Sequence, residues 1–481
     1  MRMHPRAFAL VLGISLACAP ATGRANGRFP QSNALVFAPA DRNLVALRTT
    51  FGLLVSRDRG QAWDWVCEQA FGVAGAEDPA FAFTPGGALF AATYQGLFVS
   101  RDGACSFSNA EASVGRTLFV DLTSRKAAPE TIVALASAFE SNDDAGAARY
   151  ATTLFSTSDD GRSYQTIAAS IAPSLVVETV DVAPTDASRI YVSGWRVTNN
   201  NGNDSAEARL LASYDRGVSW QTHPIALEGS ERGVYIAAIS PTNADNVYVR
   251  TDGGMNMPSR LLFSRDAGRS FETVLRAAGP LSGFALSDSG DRVWVGGPRD
   301  ALQTARTTDH VFSAISSVEV SCLAFADDGL WACSSERHGF VVGRSRDEGK
   351  TFEPLLRFCD IRGPLACAPG TTTFDQCVSK SASGASGRSW SLQRAELGCT
   401  AQLPRGDSGL SSRADAGATS DSMQSPSNSP NASNDEGCTT QPSHLASSVR
   451  LRWFSRSAAG FGAAIGVALV ALRSRRRRRV R

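Results

Sequence analysis

One eight-residue pattern, Ser/Thr-x-Asp-x-Gly-x-Ser/Thr-aromatic, recurs along the chain and constrains its fold more than any bulk property. It is carried by Ser56, Asp58, Gly60 and Trp63, then by Thr157, Asp159, Gly161, Ser163 and Tyr164. It returns at Ser213, Asp215, Gly217, Ser219 and Trp220, at Ser264, Asp266, Gly268, Ser270 and Phe271, and at Ser345, Asp347, Gly349, Thr351 and Phe352. A weaker copy around Ser100, Asp102 and Phe107 has its glycine one place early, and a seventh, 305–312, keeps only Phe312 and the spacing. The chemistry of the spacing is local. Aspartate and hydroxyl side chains accept hydrogen bonds from the amides of a tight hairpin turn. Glycine tolerates the positive φ of that turn, and the aromatic residue opens the next strand and packs beneath it. Asp58, Asp102, Asp159, Asp215, Asp266 and Asp347 are therefore expected to be structural staples, not catalytic acids.

Each copy has the same surroundings. Two short apolar or alternating runs precede it, as in 177–182 and 189–193; a third leads into it and a fourth leaves it. Four strands per repeat, with 40 to 57 residues between successive copies, is the period of a propeller blade. The order holds from 34 to 356 and predicts an all-β, seven-bladed β-propeller. A faint echo at 383–390, with Ala385 where the aspartate belongs, leaves eight blades as the alternative.

These repeats resemble the Asp-box (BNR) repeats of sialidases, xyloglucan-cleaving glycosidases, sortilin-type receptors and photosystem assembly factors. The resemblance covers roughly 34–356 and implies the fold, whereas the relatives differ in chemistry. Sialidases use an arginine cluster, a Tyr/Glu pair and a further acid, and Arg28, Phe29 and Pro30 faintly resemble the motif that opens their domains. All seven tyrosines, from Tyr94 to Tyr248, precede the sixth blade, whereas the family's nucleophile comes late. No catalytic residue is assigned on this basis.

A binding or scaffold role is the leading expectation. If the repeated turn joins strands three and four of each blade, the loops between strands two and three emerge on the opposite face. Those loops are long in three adjacent blades and offer Asp143 and Asp144, then Trp195, Arg196, Asn199 and Asn201, then Asp252 and Met255. Neighbouring long loops on one rim form a lip for a protein or glycan. A glycoside hydrolase and a membrane-complex assembly factor are the alternatives. No cofactor and no metal are expected, because no cysteine pair has CxxC spacing and the five histidines are scattered.

The ends speak of export. Arg2, Arg6, the apolar run 7–19 and small residues near Ala21 and Ala25 form a signal peptide over 1–25. Eight cysteines of the exported part then favour disulfides. Cys322 and Cys333 are placed to bridge a hairpin, Cys67 and Cys105 to staple two blades, and Cys359, Cys367, Cys377 and Cys399 to tie a cap over 357–399. Residues 400–448, rich in Ser, Asn, Asp, Pro and Gly, read as a disordered linker. Residues 453–481 read as a transmembrane anchor ending in an arginine cluster. Cys438, the apolar run and that cluster resemble a myxobacterial C-terminal sorting signal, in which the cysteine is the processing site. Seven of the last nine residues are arginine, so the formal charge of +2 hides a mildly acidic remainder, which argues against a nucleic-acid partner. The expectation is thus an envelope-anchored propeller at the cell surface.

Overall fold

The structure, a computed structural model, describes residues 28–143, 147–200, 203–254, 256–379 and 389–399. The expected signal peptide, linker, membrane segment and Cys438 lie outside the described residues, as do Asp144, Asn201 and Met255. Among the described residues, no helix is long and apolar enough to cross a membrane.

The strands form seven four-stranded antiparallel sheets, each a simple meander of consecutive strands. They span 32–66, 80–109, 118–169, 176–225, 233–276, 283–316 and 322–356, and are termed blades 1 to 7. First strands of successive blades touch one another all the way round, including the seventh against the first. They therefore line a central axis, and the chain is a closed seven-bladed β-propeller. No eighth sheet occurs among the described residues.

The blades are held by apolar layers between neighbouring sheets. Val192 and Leu211 of blade 4 bury against Val133, Leu135 and Leu154 of blade 3, while Tyr191 and Leu210 face Val234, Val249 and Leu262 of blade 5. Alternate residues of one strand thus serve opposite interfaces, as the pleat requires. Each fully buried Leu or Val side chain contributes about 1.5–3 kcal/mol.

Ring closure uses no shared strand. Blade 1 ends and blade 7 begins as complete meanders, joined by polar contacts and by a strap. Arg59 of blade 1 bonds Asp327 at 2.5 Å and Asp328 at 2.7 Å in blade 7. Asp328 also accepts from Arg344 and the Trp331 indole, each at 2.9 Å. Ser32 Oγ donates to the Val341 carbonyl at 2.9 Å. Residues 357–379 then cross the outer edge of blade 1. Trp65 N donates to Gly363 O at 2.7 Å and Leu365 N to Trp65 O at 2.8 Å, adding a short parallel bridge to the outermost strand.

Disulfides fasten this strap. Cys67 is bonded to Cys377 and Cys105 to Cys367, with Cys359–Cys399 closing the cap and Cys322–Cys333 bridging the first hairpin of blade 7. The expected Cys67–Cys105 staple is corrected. Cys67 follows the last strand of blade 1, whereas Cys105 sits in the turn at the opposite end of blade 2's sheet, so the strap reaches each separately. Four disulfides belong to an oxidising, extracellular environment.

Candidate functional site at the channel mouth

The repeated turns occupy one face of the ring. In blade 3, Asp159 Oδ1 accepts the Thr157 hydroxyl at 2.8 Å and the Arg162 and Ser163 amides at 2.9 Å, and Oδ2 accepts the Ser163 hydroxyl at 2.6 Å. Blades 4, 5 and 7 repeat the hydroxyl and amide contacts around Asp215, Asp266 and Asp347. The Thr351 amide and hydroxyl, with the Ser345 hydroxyl, hold the Asp347 carboxyl down at about 2. The Ser163 hydroxyl and amide hold the Asp159 carboxyl well below the usual carboxylate range. Carboxylates so saturated stay ionised and have no proton to give.

Asp58 and Asp102 make the corresponding turns of blades 1 and 2. In blade 2 the early glycine costs nothing in shape. Gly103 and Ala104 both hold positive φ, 72° and 74°, and the Ala104 N–H donates to Ser100 Oγ at 2.9 Å as the glycine N–H does elsewhere. In blade 6 Thr307 stands at the repeat's aspartate position; Asp309, two places on, accepts the Val311 amide at 3.0 Å, and His310 meets the Tyr248 hydroxyl of blade 5 at 2.8 Å.

The opposite face is chemically different, and its centre gathers side chains from blades 1 to 5. The first strand of blade 4, Val176–Val182, carries a register shift between Val177 and Thr179, so Glu178 stands in a bulge. Bulges re-aim side chains. Gly194 opposite leaves the space, since a Cβ there would lie 2.9 Å from Val176 O. Glu178 Oε1 accepts the Trp195 indole N–H at 2.6 Å and is also stabilised by the Tyr235 hydroxyl. Arg250 lies over the Tyr235 ring at 4.7 Å. Burial, opposed by the Trp195 bond and reinforced by the Asp252 charge, pushes Glu178 up to about 7. Burial raises Tyr235 far above its ordinary value, with Glu178 and Asp252 adding to it, so its phenol stays protonated.

Deeper on the same inner ring, Asp121 Oδ2 accepts the Val180 amide at 2.9 Å, and Asp181 accepts the Thr123 hydroxyl at 2.9 Å. These bonds cross from blade 3 to blade 4. Burial lifts Asp121 to about 7 and Asp181 to about 6. Arg48 of blade 1 feels both Asp121 and Arg250. Its Nε is buried without a hydrogen-bond partner.

The sequence-derived rim residues divide. Trp195 and Asp252 meet around Glu178. Arg196 instead pairs with Glu207 on the adjacent strand, at 2.8 Å. Asp143 closes a hairpin tip, exchanging bonds of 2.8 Å with Ala147. The side chain of Asn199 lies outside the described residues. The expected loops of blades 3 and 4 are corrected: they are extensions of paired strands, Ala128–Asn142 with Ala148–Thr157 and Ile190–Asn200 with Asn203–Ser213. Glu178, Tyr235, Arg250, Arg48 and Asp121 were not singled out from sequence. Their only signal is an ionisable or polar residue on a strand otherwise apolar.

No known protein family's sequence profile matches the chain, and no curated protein matches it. Among solved structures it is similar to an ancestral GH74 enzyme, with 14% identity, a TM-score of 0.47, and coverage of 68% of this chain and 46% of that one. The chain thus spans under half of that enzyme's length. A GH74 enzyme of Niastella koreensis aligns at 14% identity and a TM-score of 0.25, over 67% of this chain and 71% of the other. Hydrazine synthase of Kuenenia stuttgartiensis aligns at 11% identity and a TM-score of 0.43, over 65% and 95%. Such likenesses carry no chemistry to this chain.

Proposed function

We propose that the chain is an exported Asp-box propeller, held at the cell envelope by its C-terminal segment, that captures a protein partner without catalysing a reaction. One observation carries this reading. Phe29, Tyr94, Phe139, Val197 and Met257 are exposed large apolar side chains, the first just before blade 1 and the others one from each of blades 2 to 5, all on the face opposite the repeated turns. Phe29 is 84% and Tyr94 57% exposed. Thr50, in the loop between strands two and three of blade 1, fixes the Phe29 carbonyl at 2.7 Å. Exposed apolar groups rimming a polar centre mark a protein interface. Blades 6 and 7 contribute none among the described residues, which makes the surface an arc rather than a ring. The test is capture from envelope extracts by the purified chain. A partner held by the native chain should be lost by the triple variant Phe29→Ser, Tyr94→Ser, Val197→Ser. It should be retained by Val218→Ser with Val311→Ser, which alters the turn face; loss with both variants, or with neither, contradicts the reading.

A second reading has its own observation. Glu178, lifted to about 7, has the property of a general acid at neutral pH, and a glycoside hydrolase needs one. Turnover of a fluorogenic glycoside that vanishes in Glu178→Gln would favour hydrolysis over capture.

A further inference from the structure

Where the residue preceding glycine in a repeated turn carries a long or polar side chain, it lies beside the preceding blade's hairpin joining strands one and two. At three interfaces the meeting is complementary. Arg59 bonds Asp327 and Asp328 of blade 7, Asp160 accepts the Thr84 hydroxyl of blade 2 at 2.6 Å, and Glu348 approaches Arg292 of blade 6 at 3.6 Å. Between blades 3 and 4 the equivalent residue is Arg216, and the hairpin it faces presents Arg125. Among the described residues, neither arginine has a carboxylate within ion-pair distance; the nearby Asp186 carboxylate, which Arg125 helps to hold ionised, is engaged by the Ser188 hydroxyl at 2.7 Å.

Both arginines line one cavity of about 260 Å³. The pairing of the first two strands of blade 3 shifts between Ala128 and Ile132, and Thr131 from this irregular stretch lines the groove. Ser124 and Ser156 also line it, and among the described residues none of the three hydroxyls has a hydrogen-bond partner. Its floor is apolar, formed by side chains such as Ile167 and Val182. Two arginines line this groove at a position that elsewhere holds complementary partners, so an anion seated there would meet complementary charge.

We propose that this groove binds a small organic anion, with a carboxylate or phosphate head between Arg125 and Arg216 and an apolar body on the floor. Guanidinium forks match both heads in a bidentate manner, and the cavity holds roughly nine water volumes, the size of a single aromatic or short acyl acid. The site lies on the face opposite the channel mouth and does not depend on the proposed capture function.

Titration of the full chain with benzoate, phenyl phosphate and neutral benzamide, followed by calorimetry, tests it. The two anionic arms distinguish a carboxylate from a phosphate head. Saturable binding of at least one anion is expected, weakened tenfold or more in Arg125→Gln with Arg216→Gln and weakened by added salt. Single variants should lose less, and unchanged thermal unfolding shows that the variants remain folded. Equal binding of benzamide, absence of binding by both anions, or unchanged affinity in the double variant overturns the proposal.

Discussion

Trp195 donates its indole N–H to Glu178 at 2.6 Å, joining the second strand of blade 4 to a bulged residue of the first. The bond fixes a carboxylate at the channel mouth that burial would otherwise leave still less willing to ionise. Trp195→Phe removes the donor while keeping most of the ring. The Glu178 carboxyl should then titrate above its present value of about 7, measurable by carboxyl carbon resonances. A downward move would contradict the assignment of burial as the main cause.

The mouth acids also set a pH dependence. Glu178, Asp121 and Asp181 have folded values raised from the ordinary range to about 7, 7 and 6. In the window between those limits the folded chain holds more protons than the unfolded one, so this contribution to stability is present at acid pH and is lost as pH rises toward neutrality. Denaturant midpoints should fall from about pH 5 to pH 7.5, and Glu178→Gln should flatten that slope.

Gly268 holds φ of 86°, and a Cβ there would overlap Leu210 of the preceding blade. Gly268→Ala therefore meets strain and a collision together. A loss of about 1–3 kcal/mol is expected in equilibrium unfolding. A loss under a few tenths would show that the turn does not lock the two blades.

Removing the Cys67–Cys377 bond by Cys67→Ser with Cys377→Ser frees a strap joined across 310 residues of sequence. About 2–5 kcal/mol should be lost, and mapping of the native chain without reductant should recover Cys67–Cys377 and Cys105–Cys367 peptides. A Cys67–Cys105 peptide would contradict the strap.

The ring contact of Arg59 can be weighed separately. Arg59→Ala removes the bonds to Asp327 and Asp328 while Arg344 and Trp331 still hold Asp328. The expected cost is about 1–3 kcal/mol, read from thermal unfolding.

The blades are legible in the sequence because hairpin chemistry is local and repeats. Even the displaced glycine of blade 2 did not hide its turn, since Gly103 and Ala104 share the two left-handed positions. Blade 6 is faint because Thr307 stands at the aspartate position and the turn amide of Val311 is accepted by Asp309, displaced by two residues. The mouth was illegible for a different reason. Arg48, Asp121, Glu178 and Tyr235 come from four different blades, and only closure of the ring brings them together. Asn- and Asp-rich segments read as loops, yet pairing along a hairpin carried them as strands in blades 3 and 4. The strap's disulfide partners depend on where residues 357–379 cross the outer edge, which spacing alone does not encode.

Hydrogen exchange of the chain with and without its captured partner tests the central claim most directly. The account predicts protection in the arms and loops of blades 3 to 5 around Phe139, Val197 and Met257, together with the turn at Tyr94. Protection confined to the turns around Asp159, Asp215 and Asp266, with the opposite rim unchanged, would contradict it.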